Sequence, residues 1–399
     1  MLLDTIGCIL AGRLSPEMRK LEEGFARIES GSFRFPGGAP LSTQAAAAVG
    51  AIASTWDEGC EGLAYAHGRP ALPVVGALLP LAIARDASTE QLLSSLVAGY
   101  EVGARMGGWL RIRPGMHVDG NWPGLGVAAG VARLLELPPE QAMTAINIAA
   151  CQLPASLYLP ITTGDNARNT YIAHTAWLGV LAAFSAAAGI TAPAEVLPYY
   201  AEGFARAADK AADPEHSFLL DAYFKLHACV RHAHYGIEAA RQLRVKSNAI
   251  QAIHLRVYEE AATYAGNRAP RAPIQAQFSL SFGVAAALRF GSLEADTYRA
   301  PKFEDAELRR LEALVQVEAD RTIVGRAAEL TVTANGKQHR ARCERVPGDA
   351  GVSIEPAEIV AKFLRYSKDA VAEDKAAAFA AALMQEKDQR FGAAWARLT

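Results

Sequence analysis

Cysteine is scarce and unpatterned in this chain. Five residues in 399 (Cys8, Cys60, Cys151, Cys229 and Cys343), odd in number and without CxxC or Cys/His spacing, exclude a disulfide framework and a structural zinc site. Such a set fits a reducing cytoplasm. An excess of one charge is lacking too: 40 Lys and Arg stand against 42 Asp and Glu, a net charge of −2. Without a global basic field neither nucleic acid nor a membrane surface is an expected partner, and any anion site must be local. No unbroken apolar run reaches the ~20 residues of a membrane span, and Met1-Leu2-Leu3-Asp4 has no basic leader, so the chain reads as soluble. The glycines between 120 and 130 lack both a preceding strand and a downstream ribose-binding acid, which excludes a dinucleotide loop. No cofactor and no metal are expected.

What is present is a long, alanine-rich helical text. At 399 residues the chain exceeds the size at which one core keeps growing, so two domains are expected. Segments 42–55, 71–85, 89–106, 124–135, 139–151 and 168–188 read as helices, several with no wet face and with small residues that permit close helix approach. Thr89 and Pro139, each followed by acidic residues, read as helix starts. From about residue 222 the texture changes. Residues 249–258 alternate as a strand, 277–290 and 305–315 read as helices, and Asn335-Gly336 between two alternating runs is a hairpin signal. Strand, helix, helix, strand and hairpin make an α+β unit. Residues 355–396 return to helix. The expected fold is therefore mostly α: an all-helical domain from residues 1–220 and 355–399, with an inserted α+β lid domain at 221–354.

Five stretches set proton-transferring or cationic side chains among glycine, alanine and proline: Trp56-Asp57 to Ala66-His67-Gly68-Arg69-Pro70, His117-Val118-Asp119 to Gly126, Gly164 to Arg168, Phe224-Lys225 through Arg231 to His234, and Gln277-Phe278-Ser279. Several His, Lys and Arg around one or two carboxylates suit a small polyanion that gains or loses a proton. Together with Leu3-Asp4-Thr5-Ile6-Gly7 and Val360-Ala361-Lys362-Phe363, their order and spacing resemble the MmgE/PrpD family, which includes 2-methylcitrate dehydratase, cis-aconitate decarboxylase and iminodisuccinate epimerase. That resemblance implies a helical domain built from both chain ends, an α+β lid, and an active site in the cleft between them.

Taken alone, Asp57 reads as a helix cap or loop acid, and His67 and His117 as structural histidines. The resemblance places His67, His117, Lys225 and Asp57 in a catalytic set, with Asp57 expected to raise the pKa of His67. It also places Arg168, Arg231 and His234 as carboxylate holders, and Arg69, outside the family pattern, is open to binding an extra carboxylate or capping a neighbouring helix. Asp119 reads as a cap. Arg231 and His234, three residues apart on a helix starting near Cys229, share a face. His174, His216, His227, His232, His254 and His339 read as surface or structural.

The chain also departs from the family pattern. Arg168 stands where lysine is common, and a guanidinium can clamp a carboxylate but not exchange a proton. Glu61 replaces a threonine of some members, Gly68-Arg69 a proline and a small residue, and Phe282 a tyrosine of the decarboxylase-like members. The chain begins where members usually carry about one more helix. The expected activity is a cofactor-independent lyase of the dehydratase type, acting on a small di- or tricarboxylate such as a citrate-like hydroxy acid. Epimerisation or decarboxylation, or carboxylate or partner binding without catalysis, are the alternatives. The apolar helices further suggest a homodimer.

Overall fold

Small side chains decide how the first half packs. In the computed structural model, which describes residues 1–208, 212–349, 351–352, 354–386 and 388–399, this half is built from helices Leu2–Gly12, Pro16–Ile28, Thr43–Thr55, Ala71–Ala84, Thr89–Trp109, Pro123–Leu134, Pro139–Ala150 and Tyr171–Ala187. Helices Thr89–Trp109 and Pro123–Leu134 touch backbone to backbone: a Cβ on Gly99 would lie 2.8 Å from the carbonyl oxygen of Gly126, and one on Gly126 2.6 Å from that of Gly99. Serine hydroxyls start several of these helices. Ser42 Oγ accepts from the Ala45 amide at 3.0 Å, and Ser88 forms a capping box with Gln91, so the fifth helix starts at Thr89 as expected, with Ser88 as its cap.

The buried apolar residues fall into two large clusters. One draws on residues 2–218 and, apart from Ala295, on 363–398. The other draws on residues 228–346. Helix Pro356–Ser367, from the far end of the sequence, packs on Leu2–Gly12. Contrary to the all-helical expectation, the first half contains a small sheet: strands β1 (Leu110–Ile112) and β2 (Ala205–Ala207) pair antiparallel within it. Three residues per strand are too few for alternation to register in the sequence.

The second cluster surrounds a four-stranded mixed sheet of β3 (Ile250–Val257), β4 (Val315–Ala319), β5 (Ala328–Ala334) and β6 (Lys337–Cys343), in the order β4-β3-β5-β6. Only the β3–β4 pair is parallel. Strand β5 alternates strictly, burying Ala328, Leu330, Val332 and Ala334 in the second cluster, where helix His234–Gln242 packs on it. Asn335 and Gly336 both take positive φ (51° and 71°), the backbone a tight two-residue hairpin requires. The segment expected as one helix, 277–290, is two: Pro273–Gln277 ends, and Ser279 caps Leu280–Phe290 by accepting from the Phe282 amide. Overall the chain is mostly α with a small sheet.

Asn166–Ala187 is long and apolar enough to cross a membrane by length and composition, and half of it is buried inside the protein. Its α-helical part packs on Thr43–Thr55, Pro123–Leu134 and Pro139–Ala150.

A buried ion pair ties the two chain ends. Lys362 Nζ lies 2.6 Å from Asp4 Oδ1 and 2.6 Å from the Gly59 carbonyl oxygen, with both side chains excluded from solvent. Removing one partner strands a buried charge, at a cost of ~3–5 kcal/mol, whereas removing both leaves none. Lys362→Met should therefore lower stability by about that amount in urea titration, and Asp4→Leu/Lys362→Met should recover part of the loss. Equal losses in the single and double variants would show that the pair is not the source.

Candidate functional site

Helix Thr43–Thr55 ends at Trp56, and the chain then turns through Glu58 at φ +55°. Left-handed backbone here sends the carboxylates of two neighbouring acids to different sides. Asp57 accepts from Arg299 Nη2 at 2.7 Å, and that guanidinium also reaches the Ala11 carbonyl at 2.8 Å. Glu58 turns into a cavity of about 560 Å³, where it meets Lys225 Nζ at 2.7 Å, Arg69 Nη1 at 2.9 Å, and Arg168. Thr55 Oγ1 accepts from both guanidiniums, at 2.6 Å from Arg69 and 2.7 Å from Arg168. Arg69 also pairs with Asp119. Apart from the partly exposed Arg299, all of these side chains are buried.

Local structure holds each member in place. Gly62 and Tyr223 exchange backbone hydrogen bonds at 3.0 and 2.9 Å, which sets Lys225 beside the Glu58 loop. A Cβ on Gly62 would lie 2.4 Å from Tyr223 Cζ, so the approach requires glycine. Arg168 sits in the 3-10 turn Asn166–Thr170, stacked over Phe278 with 5.6 Å from its guanidinium carbon to the ring centroid. Its Nη1 also donates to Asn169 Oδ1 at 3.0 Å.

Charge follows from these contacts. Burial pushes the Glu58 carboxyl upward, but Arg168, then Arg69 and Lys225, outweigh it and hold the group well below the usual carboxylate range. Burial likewise works to discharge Lys225, and Glu58 overcomes it, keeping the ammonium above its ordinary value. Lys225 is thus a charged donor in the free protein, not a ready base.

The two candidate histidines differ. His117 is buried and caps the turn Val118–Gly120, with Nδ1 accepting from the Asp119 amide at 3.2 Å. Burial, joined by Arg168 and Arg69 against the opposing pull of Asp119, brings its pKa down to about 4. An acceptor at Nδ1 assigns the proton of the neutral ring to Nε2, so His117 is a hydrogen-bond donor at neutral pH. His67 is exposed at the tip of a loop closed by Leu63 and Gly68, and adopts φ +53°. Its pKa is lowered, first by burial and then by Arg111, with Glu260 opposing and Arg326 adding to the drop.

His67, His117, Lys225, Arg69, Arg168 and Arg231 all line the one cavity. Asp57 and His234 are not among its lining residues. The Asp57 carboxylate is taken by Arg299 and has no part in the charge balance of His67, whose pKa moves down rather than up. His234 is fully buried, with Nδ1 3.3 Å from Arg231 Nη1, so it supports that arginine from behind. Arg231 in turn pairs with Asp349. Asp119, expected as a cap, is the counter-ion of Arg69, and the cap is His117. His232, expected to be structural, lines the cavity and shares a 2.6 Å hydrogen bond with the Tyr258 hydroxyl.

Glu58 was missed. The signal was present as two adjacent acids before Gly59, but only the backbone turn shows which of them faces inward. Two departures from the family pattern lie away from the cavity lining. Phe282 is buried in the second core, stacked on Tyr298, and Glu61 accepts from the Ala71 amide at 2.9 Å at the start of helix Ala71–Ala84. Among the described residues no three His, Cys, Asp or Glu side chains group as a metal site.

Glu58→Gln would leave three buried cations without their common partner, and a loss of ~3–5 kcal/mol is expected in urea titration. A loss under about 0.5 kcal/mol, the range of ordinary surface changes, would contradict the central role of Glu58. Glu61 allows a pH test. Burial is the main force that raises its pKa to about 8. A carboxyl raised on folding contributes stability that is present below its unfolded pKa of ~4.3 and is lost as pH rises through the folded value. Glu61→Gln should therefore match wild type near pH 4 and exceed it at pH 8 in thermal melts. A constant difference across that range would refute the assignment.

The family model described as the MmgE/PrpD N-terminal domain matches residues 1–217, and that of the MmgE/PrpD C-terminal domain matches residues 227–386. No curated protein matches the chain closely enough to serve as a named relative. The C-terminal match runs through the second core and on into helices Pro356–Ser367 and Glu373–Gln385, which pack with the first. With both models matched over most of its length, the chain belongs to the MmgE/PrpD family.

Proposed function

We propose that the protein is a cofactor-independent hydro-lyase acting on a small hydroxylated di- or tricarboxylate in the cytoplasm. The carrying observation is a single cavity lined by His67 and His117, both of lowered pKa, together with a floor of buried cations. On that floor Arg69, Arg168 and Lys225 face only Glu58 and Asp119, so one positive charge is in excess, enough to hold the carboxylate next to the reacting carbon. His67, neutral and accessible, removes the α proton. The electron pair passes into the adjacent carboxylate as an aci-carboxylate, stabilised by the floor and by the Nε2–H of His117. The C–O bond at the β carbon then breaks, and the departing hydroxide takes a proton from the Lys225 ammonium to leave as water. Proton return from His67 to Lys225 through solvent restores the resting state. Arg168 holds its proton throughout, so its replacement of lysine confines it to binding. Family membership supports the lyase class in general. The exposed Leu181, Phe184 and Ile190 are apolar surface that a second copy could cover in a homodimer.

Citrate, methylcitrate, aconitate, malate, tartrate and iminodisuccinate incubated in heavy water and followed by NMR test this reading. Loss of water from one hydroxy acid, with deuterium at the α carbon on reversal, is expected. Inversion without elimination would indicate an epimerase, loss of carbon dioxide a decarboxylase, and binding alone a non-catalytic protein. With the reactive acid, His67→Gln should abolish α-proton exchange. His117→Ala should slow exchange and turnover alike, by at least ~10²-fold, because the aci-carboxylate that it stabilises lies on the path to both. If both variants turn over like wild type, neither histidine acts in the chemistry.

A further inference from the structure

Most cations that line the cavity already have carboxylate partners. Arg69 and Arg168 share Glu58, Arg69 also holds Asp119, Lys225 holds Glu58, and Arg231 holds Asp349. Three lining arginines lack such compensation. Arg111, on β1 of the first half, donates Nη1 to the Gly107 carbonyl at 3.1 Å and forms no ion pair among the described residues. Arg326, on the segment between β4 and β5, has only a long contact of 3.9 Å to Glu260, whose side chain is half exposed. A third, Arg113, is exposed and spends Nη2 on the Gly203 carbonyl at 2.8 Å.

We infer that Arg111 and Arg326 form a second carboxylate subsite at the mouth of the cavity, one arginine from each half of the molecule, so that the site selects di- and tricarboxylates over monocarboxylates. This rests on the reading of the cavity as a carboxylate site and deepens it: the floor takes the reacting carboxylate and the mouth takes the distal one. Partly exposed guanidiniums without a fixed counter-ion can engage a ligand without first breaking a buried ion pair. The position of His67 supports the pairing, because the charged side chains that act on it are Arg111, Arg326 and Glu260. A distal carboxylate between the two arginines would offset their effect and return proton affinity to the base as substrate binds. The same carboxylate would also bridge the two halves.

Calorimetric titration with tricarballylate, succinate and propionate, none of which carries a hydroxyl to eliminate, tests the subsite. Wild type should bind tricarballylate and succinate and favour both over propionate. Arg111→Gln and Arg326→Gln should each weaken the two larger acids by about 10-fold, as for loss of one charge-assisted pair, and leave propionate unchanged. Glu260→Gln should tighten them, and Arg113→Gln should change nothing. Since these side chains are partly or fully exposed, circular dichroism melts should match wild type. If the variants keep the wild-type preference, the mouth subsite is wrong while the carboxylate reading of the floor stands. If wild type binds none of the three acids, that reading itself fails, and the subsite with it.

Discussion

A single buried carboxylate organises the site. Glu58 brings together cations that lie 11, 110 and 167 residues along the chain from it: Arg69 on the same loop, Arg168 before a core helix, and Lys225 at the entry to the second half. Three like charges in a buried space repel and are costly to desolvate. One anion at hydrogen-bond distance from all of them turns that cost into a fixed arrangement. Thr55 adds a neutral acceptor shared by the two guanidiniums, and Asp119 draws Arg69 toward the His117 turn. The centre of the arrangement is a charge on a left-handed residue of the loop that joins helices Thr43–Thr55 and Ala71–Ala84.

That loop is also where the two halves of the chain meet. Gln277 Nε2 donates to the Trp56 carbonyl at 2.9 Å, Arg299 holds the Asp57 carboxylate, and Lys225 Nζ donates to the Glu58 carbonyl at 3.1 Å. Three consecutive residues of the first half are thus gripped by three side chains from residues 225–299. The next residue, Gly59, accepts from Lys362 near the far end of the chain. Any shift of one half against the other acts first on Glu58 and so on the cavity floor. Asp57, though its carboxylate is turned away from the cavity, has this anchoring part to play.

Electrostatics divides the groups that line the cavity into two sets. Ion pairing keeps Lys225 and Arg69 charged, while burial and neighbouring cations keep the imidazoles of His67 and His117 of lowered proton affinity. The hydrogen bond from the Asp119 amide then makes the histidines unequal, since it occupies Nδ1 of His117 and leaves His67 without that constraint. Arg168 fits this division: where proton traffic runs through His67 and Lys225, a permanently charged group on the floor is an advantage.

The sequence by itself determined the helices, the Asn335-Gly336 hairpin, the family, and the stretches that supply the cavity. These depend on local rules: apolar periodicity, turn chemistry, and the spacing of residue types along the chain. It could not choose between Asp57 and Glu58, because adjacent acids have the same composition and only the sign of one φ angle separates them. It could not tell that His234 stands behind Arg231, that His232 faces the cavity, or that Asp119 neutralises Arg69. Nor could it sort the arginines into those with partners and those without. Pairing across 50 to 170 residues is decided by where helices and loops come to rest in three dimensions. Charge compensation, and with it the chemistry left to each residue, is therefore a property of the tertiary structure.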